Sequence, residues 1–309
     1  MSNRLTNHRK TMTNDIAHKK PLSIHAATLL MAAVAVARGS SFIFSKLLLQ
    51  TMEPLNLLGI RSLTAFLVLF AFFGHRVITS VRDNRRNLRA GALLGLMYFL
   101  IMTLELNGLK LTTAATASFI ENSAVVLVPL FEAVILRRRP GKITLASAAL
   151  CLAGVGFIAA GDMSGRIGTG EIMCMTAALL YTGAIIVTDR EAKRCDAFTV
   201  GILYVGFMGV FGMAGSFVTE RPHMPGTAHE WLLLLMLAVI CSAFGFAMQP
   251  VAQRTISSET AGVLTALNPL TTAILGTIVL TEPFGINSIA GAVLILMGVV
   301  LHNVIRKGR

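Results

Sequence analysis

Charge is what this chain has least of. Only 14% of its 309 residues are Asp, Glu, Lys or Arg, against about 25% in soluble domains. Acidic groups are the scarcer kind, 15 against 27 basic ones. Four cysteines, Cys151, Cys174, Cys195 and Cys241, have no paired or metal-ligand spacing and read as buried, inert thiols. No HExxH, GK[ST] phosphate loop, GxSxG elbow or His/Cys cluster occurs. These absences leave no catalytic constellation, no cofactor and no nucleotide domain to drive a pump.

Apolar sequence is plentiful: 54% of residues are hydrophobic and the mean hydropathy is +0.71. The composition predicts an all-α integral membrane protein. Ten apolar spans lie at about 25–49, 54–74, 90–110, 113–136, 143–161, 168–188, 198–218, 231–253, 260–281 and 284–304. Each approaches the ~20 residues that a transmembrane helix needs. Most links are short, so successive helices must be antiparallel. The two longer links are Arg-rich 75–89 and Pro-bearing 219–230.

The net charge of +12 lies between apolar blocks and not on one amphipathic face. It therefore reads as a topology signal, with the lipid bilayer and not nucleic acid as the partner. Twenty-one Lys and Arg fall in one set of alternate links and tails, four in the other. By the positive-inside rule both termini are cytoplasmic, in a multi-pass protein of the cytoplasmic membrane. Residues 1–23 read as a disordered cytoplasmic tail, with no h-region and cleavage site of a removable signal. Residues 306–309 read as a basic cytoplasmic end.

The chain partly repeats itself at an offset of 144 residues. Leu145–Val155 lies over Ile289–Val299 with six identities, among them Gly154 over Gly298. The same offset places Gly39 on Gly183, Lys110 on Arg254, and Thr116-Ala117 on Thr260-Ala261. Two five-helix repeats follow, at 24–162 and 163–305. Five crossings is an odd number, so tandem copies must be inverted, an architecture recurrent in secondary transporters.

These halves resemble the drug/metabolite transporter superfamily, EamA type. The resemblance rests on Gly39-Ser40-Ser41-Phe42, Arg61, Ala117–Pro140, Ala178–Asp196, Asn268-Pro269 and Glu282-Pro283. It spans about 25–304 and implies transport of a small metabolite, often an amino acid, without ATP hydrolysis. Where that family commonly has Trp before the helix 1 glycine, this chain has Arg38.

Candidate site residues are the polar groups that the spans bury. Two arginines and two glutamates, Arg38, Arg61, Glu105 and Glu121, fall between the outer boundary and the midplane. At ~1.5 Å per residue Glu121 lies roughly 12 Å deep, Arg61 roughly 10 Å and Glu105 roughly 8 Å. Intramembrane charge is expensive and usually faces a partner or pathway. The offset maps the four onto Thr182, Val205, Gln249 and Thr265, so the second half carries no charge there. Asn122 and Asn268 complete the expected translocation set, with Pro129 and Pro269 as helix hinges.

The favoured reading is a secondary transporter exporting a small polar metabolite such as an amino acid, with a possible coupling proton on Glu105 or Glu121. A membrane-embedded enzyme or lipid-handling protein using those glutamates, and a non-transporting sensor or scaffold, are the alternatives. The oligomeric state is open. The topology is checked by cysteine scanning in a Cys-free background: positions in 219–230 should react with an impermeant reagent added outside, and positions in 75–89 should not. Labelling of both from one side would overturn the orientation and the inversion together.

Overall fold

The computed structural model describes residues 22–112, 114–122, 127–128, 131, 141–159, 168–280 and 286–306. Among these, ten helices follow one another: α1 (Ile24–Leu48), α2 (Pro54–Asp83), α3 (Arg86–Leu111), α4 (Ala114–Asn122), α5 (Lys142–Ala159), α6 (Thr169–Arg194), α7 (Ala197–Thr219), α8 (Ala228–Gln253), α9 (Ser258–Thr265 and Leu267–Leu280) and α10 (Ile286–Arg306). Seven are long and apolar enough to cross a membrane, while α5 and α10 carry shorter apolar runs. The hinge candidate Pro129 lies outside the described residues.

Local chemistry sets the helix starts. The Ser23 hydroxyl accepts from the Ala26 N–H at 3.2 Å and caps α1. Pro54 opens α2, where a missing N–H costs nothing. The Glu220 carboxylate, from the end of α7, accepts from the Leu55 and Asn56 N–H groups at 2.9 and 2.8 Å. An anion there offsets the positive end of the helix dipole. Thr227 and Glu230 form a capping box at α8.

The expected long link 75–89 is not a loop. α2 continues to Asp83 and α3 begins at Arg86. Hydropathy marks where a helix leaves the apolar layer, not where it stops. The extra turns dock on the start of α7, with Arg76 on Asp196 at 3.1 Å and Val77 and Ser80 buried. Likewise α6 runs on to Arg194, where Arg86 pairs with Glu191 at 2.8 Å and holds that carboxyl below the usual carboxylate range. The 219–230 link is irregular, as its prolines require.

The halves are inverted, and polar contacts at one face prove it. Lys46 at the end of α1 donates to the Leu109 and Thr112 carbonyls at 2.6 Å each. The Thr112 hydroxyl in turn donates to Glu171 at the start of α6. The end of α1 and the beginning of α6 thus share a face, so corresponding helices run in opposite directions. Packing obeys the same exchange: α3 on α6 answers α8 on α1, α3 on α7 answers α8 on α2, and α4 on α6 answers α9 on α1. Helix pairs α2–α7 and α5–α10 lie on the axis and answer themselves.

Glycine makes those axial contacts close. A methyl group at Gly154 would stand 2.5 Å from the Gly291 carbonyl and 2.9 Å from Ile295. One at Gly298 would stand 2.8 Å from the Ser147 carbonyl and 2.6 Å from Cys151. Those partners are again 144 residues apart, so the repeat read from sequence is a repeat of contacts. Gly206, Gly209 and Gly212 bring α7 against Phe66, Leu63 and Gly59 of α2, a close-packing face of small residues. Outward faces are apolar, with Phe72, Phe217 and Val218 at least 70% exposed, as lipid contact demands. All four cysteines are free and buried, as read from their spacing.

Two helices depart from regular geometry. The middle of α8, Leu237–Phe246, is π-helical, and α9 is interrupted at Ala266. The interruption precedes Pro269, whose ring crowds the carbonyl four residues before it, that of Thr265. Gly154→Ala is expected to cost about 1–3 kcal/mol by overpacking the α5–α10 contact. A lowered unfolding temperature in detergent, matched by Gly298→Ala, would verify the symmetric contact. An unchanged temperature for both would refute it.

Candidate functional site

At the centre of the bundle sits the Arg38 guanidinium, on α1 and 4% exposed. α1 turns it toward three other helices because the next residue, Gly39, lies hard against α9: a methyl group there would be 2.5 Å from the Asn268 carbonyl. Its Nη2 donates to Glu121 Oε1 of α4 at 3.0 Å, in an ion pair closed to solvent. Its Nη1 donates to the Tyr181 hydroxyl of α6 and, at 3.4 Å, to Gln249 Oε1 of α8. The Tyr181 and Phe246 rings cover the cation at 4.4 and 4.8 Å from their centroids, within cation–π range.

Two elements of the second half build this cradle. α6 supplies Tyr181. The π-helical stretch of α8 ends on Phe246, whose carbonyl accepts from the Tyr204 hydroxyl of α7 and whose ring faces Arg38. Such wide turns recur at functional sites because they shift the side chains that follow around the helix. Gln249 Nε2 donates to the Tyr98 hydroxyl at 2.9 Å and to Gln253 Oε1 at 3.2 Å, and Gln253 Nε2 donates to the Ile185 carbonyl at 3.1 Å. Tyr98 stacks on Tyr204 at 4.9 Å and meets Tyr181 at 6.2 Å. All three tyrosines of the chain therefore converge here.

The other predicted charges join the same cluster. Glu105 of α3 has Glu121, Arg38 and Arg61 as its charged neighbours. Arg61 of α2 is fully buried, donates to the Ser45 hydroxyl at 3.3 Å and Met102 Sδ at 3.0 Å, and so does not snorkel to the interface. Two basic and two acidic side chains are thus buried in one cluster. Glu105 Oε2, Glu121 Oε2 and Arg61 Nε have no hydrogen-bond partner among the described residues.

Asn122 and Asn268 make no side-chain hydrogen bond to this cluster among the described residues. They lie where α4 and α9 cross, each 1% exposed, with both Oδ1 atoms unpartnered among the described residues. Pro269 stands three residues after the interruption of α9 at Ala266. Sequence reasoning missed Tyr98, Tyr181, Tyr204, Phe246, Gln249 and Gln253. One signal was available: Gln249 is the repeat mate of Glu105 and lies within an apolar span.

Outward apolar faces, inverted halves and a buried charged centre define a multi-pass membrane protein with a polar site between its repeats. The EamA-like transporter family matches residues 25–160 and 168–304, one copy on each half. The chain belongs to that family, within the drug/metabolite transporter superfamily, and this is a family of transporters and not of enzymes. It is similar to an uncharacterized transporter of Archaeoglobus fulgidus, 27% identical over 88% of this chain and 96% of the relative. It is also similar to the uncharacterized transporter YcxC of Bacillus subtilis, 25% identical over 86% and 89%. A solved crystal structure shares the fold with a TM-score of 0.76 at 19% identity, covering 92% of this chain and 98% of its own.

Breaking a buried ion pair from one side leaves an uncompensated charge and costs about 3–5 kcal/mol. Arg38→Met and Glu121→Leu should each destabilise the protein by about that much, and the double variant by less than the sum. Unfolding in detergent measures the cycle, and strict additivity would mean that the pair does not form.

Proposed function

We propose that this protein is a secondary active transporter of a small zwitterionic metabolite, an amino acid or close relative, exported across the cytoplasmic membrane by alternating access, with both termini cytoplasmic. The observation that carries the reading is the Arg38–Glu121 pair, closed on itself in a dry interior. A ligand with one charge would part the pair and leave one of its members unmatched, at high cost. A zwitterion offers a carboxylate to the guanidinium and an ammonium to the glutamate, so both charges keep a partner. The free Oε2 of Glu121 adds an acceptor for the ammonium.

The same geometry supports alternating access. Arg38 and Glu121 belong to the first half, while Tyr181, Phe246 and Gln249 hold the guanidinium from the second. A ligand that moves the guanidinium alters contacts between the halves, which is what exchange of their conformations needs. In this reading Glu105, a charged neighbour of Glu121, carries the coupling proton.

The test is flux and binding in proteoliposomes, comparing an amino acid with its amide and its N-acetyl derivative. Each derivative loses one charge-assisted contact, worth about 1.5–3 kcal/mol or roughly 10- to 150-fold in affinity. Arg38→Ala should erase the preference for acid over amide, and Glu121→Gln that for free over acetylated amine. Arg38→Lys should be partly tolerated, since a point charge replaces the fork poorly. An imposed proton gradient should drive accumulation in the wild type and not in Glu105→Gln. Equal weakening of every ligand by each variant would instead make these residues helix ties.

A further inference from the structure

The crossing of α4 and α9 holds a polar seam that the ion-pair cluster does not use. The Ser118 and Thr272 hydroxyls meet across it at 3.4 Å. Beyond α4 in the chain, Val128 meets Gly262 of α9, where a methyl group would stand 3.2 Å from it. Inversion of the halves makes α4 and α9 antiparallel, and the 144-residue exchange turns the Ser118–Thr272 contact into the Val128–Gly262 one. One site of the symmetric pair is therefore closed by an apolar contact, while its counterpart is lined by oxygen.

One turn from Ser118 on α4 and one turn from Thr272 on antiparallel α9, in the same direction along the seam, stand Asn122 and Asn268. Both are 1% exposed and both Oδ1 atoms lack a partner among the described residues. The Asn122 carboxamide is fixed in orientation, because its Nδ2 donates to the Ser118 carbonyl at 2.7 Å. The Thr272 hydroxyl has the Gly39 and Asn268 carbonyls at 2.9 and 3.0 Å, so its proton is engaged there and its oxygen meets Ser118 as an acceptor. A further acceptor comes from the helix break: Pro269 has no N–H to give the Thr265 carbonyl. That carbonyl ends the first section of α9, the negative end of a half-helix.

Buried acceptors without donors are costly. A cation satisfies several at once, and oxygen-lined breaks in membrane helices are where transporters coordinate them. A proton does not suit this seam, because carboxamides, hydroxyls and carbonyls do not titrate near neutrality. Divalent ions draw on carboxylates, and no carboxylate belongs to this set.

We propose that the α4–α9 seam binds a dehydrated alkali-metal cation through Asn122, Asn268 and the Ser118 and Thr272 hydroxyls, beside the α9 break. This assigns the two asparagines to an ion and not to the metabolite. The site uses neither Arg38 nor Glu121, so it stands or falls apart from the zwitterion reading.

Purified full-length protein in detergent tests it with no metabolite present. Unfolding temperature is measured in sodium chloride, potassium chloride and choline chloride at constant ionic strength. A saturable rise with sodium or potassium over choline is expected. Asn268→Leu and the milder Thr272→Val should lose that rise while still unfolding cooperatively in choline, and Glu121→Gln should keep it. Identical wild-type curves in all three salts would overturn the proposal. So would a rise that survives both seam variants, or one that Glu121→Gln alone abolishes, since the ion would then sit on the carboxylate.

Discussion

A guanidinium in a dry interior has to be matched, and Arg38 sets that requirement at the centre of the bundle. Its pKa keeps it charged, and burying an unpaired charge costs several kcal/mol. The sequence meets the demand from four helices at once: a carboxylate on α4, a phenol on α6, an amide and a ring on α8, with α1 holding the cation itself. Each partner constrains the rotation of its helix. Gly39 follows from the same constraint, since only its lack of a side chain lets α1 lie against α9 while Arg38 points the other way.

Symmetry explains why the partners come from both halves. Inversion brings α1 and α6 to equivalent positions, and α3 and α8 likewise. The residue at the α8 position matching Glu105 is therefore also near the centre, and there it is Gln249. The first copy retains the charges, while the second supplies neutral groups that bind charges. Had both copies carried Arg and Glu, eight charges would share the volume. Paired or not, each would bring its desolvation penalty.

The helices, their number, the inverted repeat and the burial of four charges could be read from sequence, because each depends on hydropathy, loop charge or self-similarity. That Arg38 faces Glu121 could not, because helix rotation is set by packing over whole faces, and one turned helix would separate them. The tyrosines were hidden for a related reason: a lone Tyr in an apolar helix reads equally as core or as interface. The π-helical stretch of α8 leaves no sequence mark, since LAVICSAFGF has ordinary helical residues and no proline. Helix α2 was read too short because the polar residues after Gly74 leave the apolar layer without ceasing to favour helix. The break in α9 was legible in part, since Pro269 announces it, but the register of Asn268 against Asn122 is a fact of crossing helices.

The two irregular helices occupy matching roles around the centre. α8 widens where its Phe246 must reach the guanidinium and its carbonyl must meet Tyr204. α9 breaks beside the seam where Asn268 and Asn122 stand. The repeat mate of α8, α3, is a regular α-helix over the matching region. Departures from regular geometry in the second half therefore sit opposite buried polar groups in the first. A regular α8 would turn Phe246 off the cation, and Pro269 leaves the Thr265 carbonyl without a ladder donor beside the seam. The polar centre and the irregular backbone are thus one requirement met twice: where side chains bring charge into the apolar layer, the facing helix gives up regular hydrogen bonding to accommodate it.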